Sequence, residues 1–292
     1  MIPLDDVTAW LRTVPQYLLP QHALSRLVHR LTRFRWQPWK RLLIERFVHH
    51  FHVDMTDAVQ PNLESYPDFN SFFTRTLRPG ARPLAKDKRL IISPVDGRVS
   101  QAGKIDDNTL IQAKGHFFTV TALLGDHPTH ARSFVNGHYT TIYLSPRDYH
   151  RIHMPIRGKL RAMTHIPGRL FAVNDSAVKI VPELFSRNER VVLMFDTELG
   201  PMAMILVGAL FVGSIETVWA GEVTPPTRFL PHTRNYQGAE NSELVFDRGV
   251  EIARFNMGST VILLFSPNVI TWEKGIEPQA VLRMGQSLAR RV

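Results

Sequence analysis

Apolar side chains recur at helical spacing along the first fifty residues. Leu24, Leu27, Val28, Leu31 and Phe34 fall at i, i+3, i+4, i+7 intervals, with Arg26, Arg30 and Arg33 on the opposite face. After Gln37-Pro38, where Pro38 suits a first helical turn, Trp39, Leu42, Leu43 and Phe47 repeat the period beside Lys40, Arg41 and Arg46. The spacing predicts amphipathic helices. Pro67-Asp68-Phe69-Asn70-Ser71-Phe72-Phe73 predicts a cap followed by a short helix. Residues 77–88 then turn to Pro, Gly and charge, which marks a boundary between a helical region, 1–77, and a second region, 78–292.

The second region reads as strands. Residues 89–92, 139–144, 190–195, 202–215 and 260–265 are β-branched or apolar runs. Turn chemistry separates them: Ser93-Pro94-Val95-Asp96-Gly97, Ser145-Pro146-Arg147-Asp148 and Pro225-Pro226. Long helical periods are scarce after residue 90, which argues against a doubly wound parallel sheet and for an α+β fold with a β core. The longest apolar run, 202–215, is broken by glycines and is shorter than the ~20 residues a spanning helix needs. Buried strands explain it better.

Charge adds a partner. The net charge is +9 over 292 residues, and residues 1–50 carry eight Lys/Arg against three Asp/Glu. A balance of this kind favours polyanions, either nucleic acid or an acidic lipid surface. No nucleic-acid-binding motif is present. The apolar stripes, the basic flanks and Trp10, Trp36 and Trp39 suit helices lying in a membrane interface, with Arg26, Arg30, Arg33, Trp36 and Trp39 as the contact residues. Packing on the protein's own core is the commoner fate of such helices. The absence of cysteine excludes disulfides, thiolate metal sites and a cysteine nucleophile.

Three segments carry candidate chemistry. Asp96 lies in a Pro-Val-Asp-Gly turn, His150 and His153 stand three apart in Tyr149-His150-Arg151-Ile152-His153, and Ser259 follows Gly258 between two strand-like runs. Each has a plain alternative: a turn aspartate, two surface histidines and a bulge serine. Together they are the ingredients of a nucleophilic triad, in which a carboxylate orients an imidazole that deprotonates a hydroxyl. A serine so placed can attack the carbonyl before it and cut its own chain. No Gly-x-Ser-x-Gly elbow surrounds Ser259, and two histidines three apart are also compatible with a metal. On these residues alone, a serine hydrolase, a self-cleaving enzyme and a basic membrane module all stand.

A long ordered series of motifs narrows the choice. It runs through Ser93-Pro94-Val95-Asp96-Gly97, Gln112-Ala113-Lys114-Gly115-His116, the stretch 143–155 and Gly168-Arg169-Leu170-Phe171-Ala172-Val173-Asn174. It continues with Arg187-Asn188-Glu189-Arg190, the stretch 213–221 and Gly258-Ser259-Thr260. In this series the chain closely resembles the bacterial, membrane-associated phosphatidylserine decarboxylases.

The resemblance implies a mainly antiparallel β core. It also implies self-cleavage between Gly258 and Ser259 into chains 1–258 and 259–292, with Ser259 becoming a covalent pyruvoyl group and no metal. Asp96 and His153 match the family's self-cleavage pair with Ser259, and His150 matches its histidine for substrate handling and proton transfer. The implied reaction converts phosphatidylserine to phosphatidylethanolamine and CO2 on an anionic membrane. The implied location is peripheral, on the cytoplasmic side of the bacterial inner membrane. The two cleaved chains would stay together as a heterodimer that dimerises further, with no nucleic-acid partner. Met257 stands where the family commonly has leucine, a change of shape within similar volume.

Overall fold

The computed structural model describes residues 4–113, 115–126, 128–211, 214–224, 230–237, 244–257 and 260–292. Helices Leu4–Thr13, Gln21–Thr32, Gln37–Phe51 and Phe69–Phe73 come first, and strands begin at Leu90–Ile92. The last of these helices starts as its sequence demands: Asp68 Oδ1 accepts the Ser71 N–H at 2.8 Å. The helix Gln37–Phe51 has proline in its first turn and stops where His52 takes a left-handed conformation, φ 52°.

A nine-stranded sheet dominates. Its order is His232–Asn235, Gly158–Ile166, Arg190–Thr197, Gly200–Val207, Thr260–Phe265, His138–Tyr143, Gly97–Lys104 and Val281–Leu282, with Val245–Phe246 also paired to Gly158–Ile166. Every pairing is antiparallel. The central strands are buried on both faces. Val191, Leu193, Met204, Leu206, Val261 and Leu263 enter one core, while their alternating neighbours Val192, Met194, Ala203, Ile205, Ile262 and Leu264 enter another. This is why residues 260–265 read as a continuous apolar run rather than an alternating one.

A four-stranded sheet, Gly221–Glu222, Ile215–Thr217, Glu251–Phe255 and Arg151–His153, lies on the first core. The strand ending at Phe255 therefore belongs to one sheet and the strand beginning at Thr260 to the centre of another. The chain therefore changes sheets between Phe255 and Thr260. The apolar run 202–215 divides accordingly, into Gly200–Val207 in the large sheet and Ile215–Thr217 in the small one.

The N-terminal helices use their amphipathic faces in opposite senses. On Gln37–Phe51, Leu43, Ile44, Phe47 and Val48 turn inward, onto Phe69, Phe72 and Phe73. On Gln21–Thr32 the polar side chains Gln21, Ser25 and Thr32 are buried, and Leu27 and Leu31 are exposed. Hydrogen bonds explain the inversion. Gln21 Oε1 accepts the Leu170 N–H and Gln16 Oε1 accepts the Ala172 N–H, at 2.9 and 2.8 Å. Gly168 permits this docking loop, because a Cβ there would lie 2.4 Å from the Arg187 carbonyl. No helix among the described residues is long and apolar enough to cross a membrane.

Candidate active site

Asp96 sits in a turn held against the core by its neighbour. A Cβ on Gly97 would stand 2.5 Å from the Tyr143 carbonyl oxygen, so only glycine lets this strand approach so closely. The Asp96 carboxylate is bound on both oxygens by Arg82, whose Nε and Nη2 donate at 2.6–3.0 Å, and it also accepts the Met284 N–H at 2.8 Å. Asp57 takes the Nη1 of the same arginine at 2.8 Å. Burial works against the Arg82 charge, but the bonds to Asp96 and Asp57 outweigh it and hold its pKa above the usual value.

His153 is buried nearby. Its backbone N–H donates to the Pro94 carbonyl at 2.9 Å, which ties it to the Asp96 turn. Its Nδ1 lies 2.8 Å from the Gly249 carbonyl, so Nδ1 carries the proton and Nε2 accepts from the Tyr149 hydroxyl at 3.0 Å. Burial lowers its pKa, opposed by the Gly249 bond and by Glu251. The imidazole is thus a neutral base whose tautomer is set by a backbone carbonyl. Asp96 and His153 share one corner of the molecule, but Arg82, not His153, holds the carboxylate.

His150 is fully enclosed. Its Nε2 lies 3.0 Å from the Ser145 carbonyl and takes the donor role, which leaves Nδ1 as a buried acceptor with no partner. Burial, and then the charge of Arg75, lower its pKa to about 3. The Phe255 N–H donates to the His150 carbonyl at 3.0 Å, so this histidine adjoins the end of the strand that leads to residue 258. Gly258 and Ser259 themselves lie outside the described residues. Their flanks are fixed: Thr260 pairs with Tyr143 and Val207, and Met257 packs against the helical cluster around Phe73 as well as the second core.

A cleft of about 280 Å³ opens beside these groups, lined by Asp96, Arg82, Arg147, Asp148 and Tyr149 among others. Burial raises the pKa of Asp148, against the hydrogen bonds it accepts from Ser145. Among the described residues no three His, Cys, Asp or Glu side chains converge as a metal site. Sequence reasoning missed Arg82 and Tyr149. Tyr149 stood inside a quoted motif, whereas Arg82 lies in an ordinary Pro-Gly-rich loop that carries no mark of its partner.

Of the five residues expected to meet a membrane, Arg26, Arg30 and Trp36 are exposed. Trp39 is half-buried and donates to the Leu31 carbonyl at 3.0 Å. Arg33 is half-buried and engaged in an ion pair with Glu222.

Comparison with known proteins supplies the class. The family model for phosphatidylserine decarboxylase matches residues 69–290, and a second model, described as PSD, matches residues 11–52. A phosphatidylserine decarboxylase proenzyme of Nitrosococcus oceani is 50% identical over 283 residues, covering 97% of this chain and 92% of the relative. One from Azotobacter vinelandii is 51% identical over 276 residues, 94% of this chain and 96% of that one. One from Pseudomonas putida is 49% identical over 279 residues, 96% and 97% of the two. The chain belongs to the phosphatidylserine decarboxylase family and is an enzyme of this type.

Proposed function

We propose that the chain cuts itself between Gly258 and Ser259, converts Ser259 to a pyruvoyl group, and then turns phosphatidylserine into phosphatidylethanolamine and CO2 at a lipid surface. The observation that carries the reading is the change of sheet between Phe255, which lies beside His150, and Thr260, which lies at the centre of the large sheet, so a break between them leaves both pieces anchored.

In maturation His153 takes the Ser259 hydroxyl proton at Nε2, displacing Tyr149, while Gly249 holds the ring. The oxygen attacks the Gly258 carbonyl and the amide becomes an ester. Loss of the Ser259 α-proton then breaks its Cβ–O bond and releases the Gly258 carboxylate. Residue 259 takes up water, loses ammonia and is left with a ketone. Asp96, clamped by Arg82, supports the turn from which His153 hangs.

The surroundings fit such a group, because the orphaned Nδ1 of His150 is an acceptor in search of a polar partner. The pyruvoyl carbonyl supplies the electron sink for breaking the bond to the carboxylate. His150, kept neutral by burial, receives the substrate's amine N–H at Nδ1 and returns that proton to the α-carbon once CO2 has left. The low-dielectric walls around it, Phe73 among them, disfavour the charged carboxylate.

The exposed apolar side chains Trp10, Leu27, Leu31, Phe34 and Trp36 support docking of the N-terminal helices on a bilayer, with Arg26 and Arg30 toward anionic headgroups. In a bacterium this corresponds to peripheral attachment at the cytoplasmic face of the inner membrane. The two fragments make one catalytic unit, and pairing of two such units is readable by light scattering. The direct test is turnover: purified protein with phosphatidylserine vesicles yields phosphatidylethanolamine, and Ser259→Ala yields none. Product from Ser259→Ala would reject the reading.

A further inference from the structure

Asn256 is fully buried two residues before the proposed cut, and its backbone N–H and side-chain amide are all engaged. Its backbone N–H donates to the Ser214 carbonyl at 2.9 Å. Its Nδ2 donates to Ser214 Oγ and faces Glu216 Oε2 and Glu222 Oε1, both at 3.4 Å. Its Oδ1 accepts from Asn70 Nδ2 at 3.2 Å. These bonds continue outward. Ser214 Oγ donates to Glu222 Oε1 at 3.1 Å, Arg33 forms an ion pair with that same oxygen, and His29 lies 3.2 Å from Glu222 Oε2.

Arg33 terminates the helix Gln21–Thr32, the helix whose apolar face is exposed. A continuous polar path therefore runs from that helix, through Glu222 and Ser214, to Asn256 at the strand end that leads to residue 258. Glu216 is held separately by Arg254 at 2.6 Å, so the two carboxylates around the Asn256 amide are each neutralised by an arginine.

On the reading that the chain cleaves itself at 258–259, we infer that Asn256 is a positioning residue for that cleavage, and that Arg33 and Glu222 hold it in place. The amide is the suitable group here. It gives two N–H donors to the serine and carboxylates on one side and an acceptor to Asn70 on the other. Asparate at this position would turn the donor side into an acceptor facing Glu216 and Glu222. The strand end would shift, and a displacement of the order of an ångström is costly for an intramolecular attack.

The test follows self-cleavage directly. Wild type, Asn256→Asp, Glu222→Gln, Arg33→Gln and the Arg33→Gln/Glu222→Gln double variant are made by cell-free translation, and fragment formation is timed by intact-mass measurement. Asn256→Asp splits about tenfold or more slowly. Arg33→Gln and Glu222→Gln each slow it several-fold, and the double variant is no slower than the slower single one, because both lie on one path. Once split, every variant decarboxylates at the wild-type kcat per split molecule, which general structural damage would not allow. Asn256→Asp and Glu222→Gln splitting at the wild-type rate overturns the inference, as does slowing matched by an equal loss of kcat. If Asn256→Asp does not fold, the two substitutions at the half-exposed ion pair decide the matter alone. A wild-type chain that never splits rejects the underlying reading instead.

Discussion

Phe73 stacks on His150, with ring centroids 4.2 Å apart and planes inclined by 24°. One ring comes from the last helix of the N-terminal region and the other from the motif beside the strand that ends at Phe255. The contact completes the enclosure of His150 and so keeps its imidazole neutral.

That enclosure sets a pH dependence. The His150 pKa falls from 6.5 to about 3 through burial, and that of His153 is lowered as well. Between these limits the unfolded chain binds protons that the folded chain refuses, so stability rises with pH and is lost as pH falls below 6.5. Each such group contributes a slope of at most about 1.4 kcal/mol per pH unit. Urea unfolding of the Ser259→Ala chain from pH 7 to pH 4 should show the decline, and His150→Gln should flatten it. Parallel curves for the two proteins would contradict the burial argument.

Arg82 is the partner on which the Asp96 carboxylate depends, and the two side chains are only 11% and 10% exposed. Arg82→Met strands a buried charge and should destabilise the fold by ~3–5 kcal/mol. Self-cleavage should fail or slow with it, because the turn carrying His153 loses its anchor. A melting curve within error of wild type would show that the pair is idle.

Met257 touches both the helical cluster and the second core. It is half-buried and flexible, so leucine should replace it with little loss, under ~1.5 kcal/mol. Met257→Leu is expected to split at an unchanged rate. A marked change in rate would mean that the side chain shapes the cut itself.

Membrane docking should depend more on the exposed apolar face than on charge. Leu27→Glu with Leu31→Glu should abolish flotation with vesicles, whereas Arg26→Glu with Arg30→Glu should weaken it only on anionic vesicles and at low salt. Arg33 is excluded from this set because it pairs with Glu222. Flotation of the double-leucine variant at wild-type levels would refute the orientation of the helix.

Much of this architecture was legible in the chain. Residues 260–265 and the strands near 90, 139 and 190 were visible as apolar runs, and the Asp68 cap was visible from its turn chemistry. The strand Gly158–Ile166 was not, since Lys159, Arg161 and His165 leave it without a β-branched or apolar run, and His165 is buried beside Glu189, 3.1 Å away. Periodicity identified the helix Gln21–Thr32 but not the face it buries. That was decided by Gln16 and Gln21 bonding to a loop about 150 residues away. The motif series located Asp96, His150 and His153, whereas the Arg82 clamp and the Tyr149–His153 bond depend on distances that no local pattern encodes.

The central claim is a single backbone break that creates the reactive carbonyl. Intact-mass measurement of freshly purified, active protein addresses it directly. The account predicts two species, residues 1–258 and a ketone-bearing 259–292 that borohydride reduces, with Ser259→Ala remaining one chain. Active protein with the mass of an uncut 292-residue chain would contradict it.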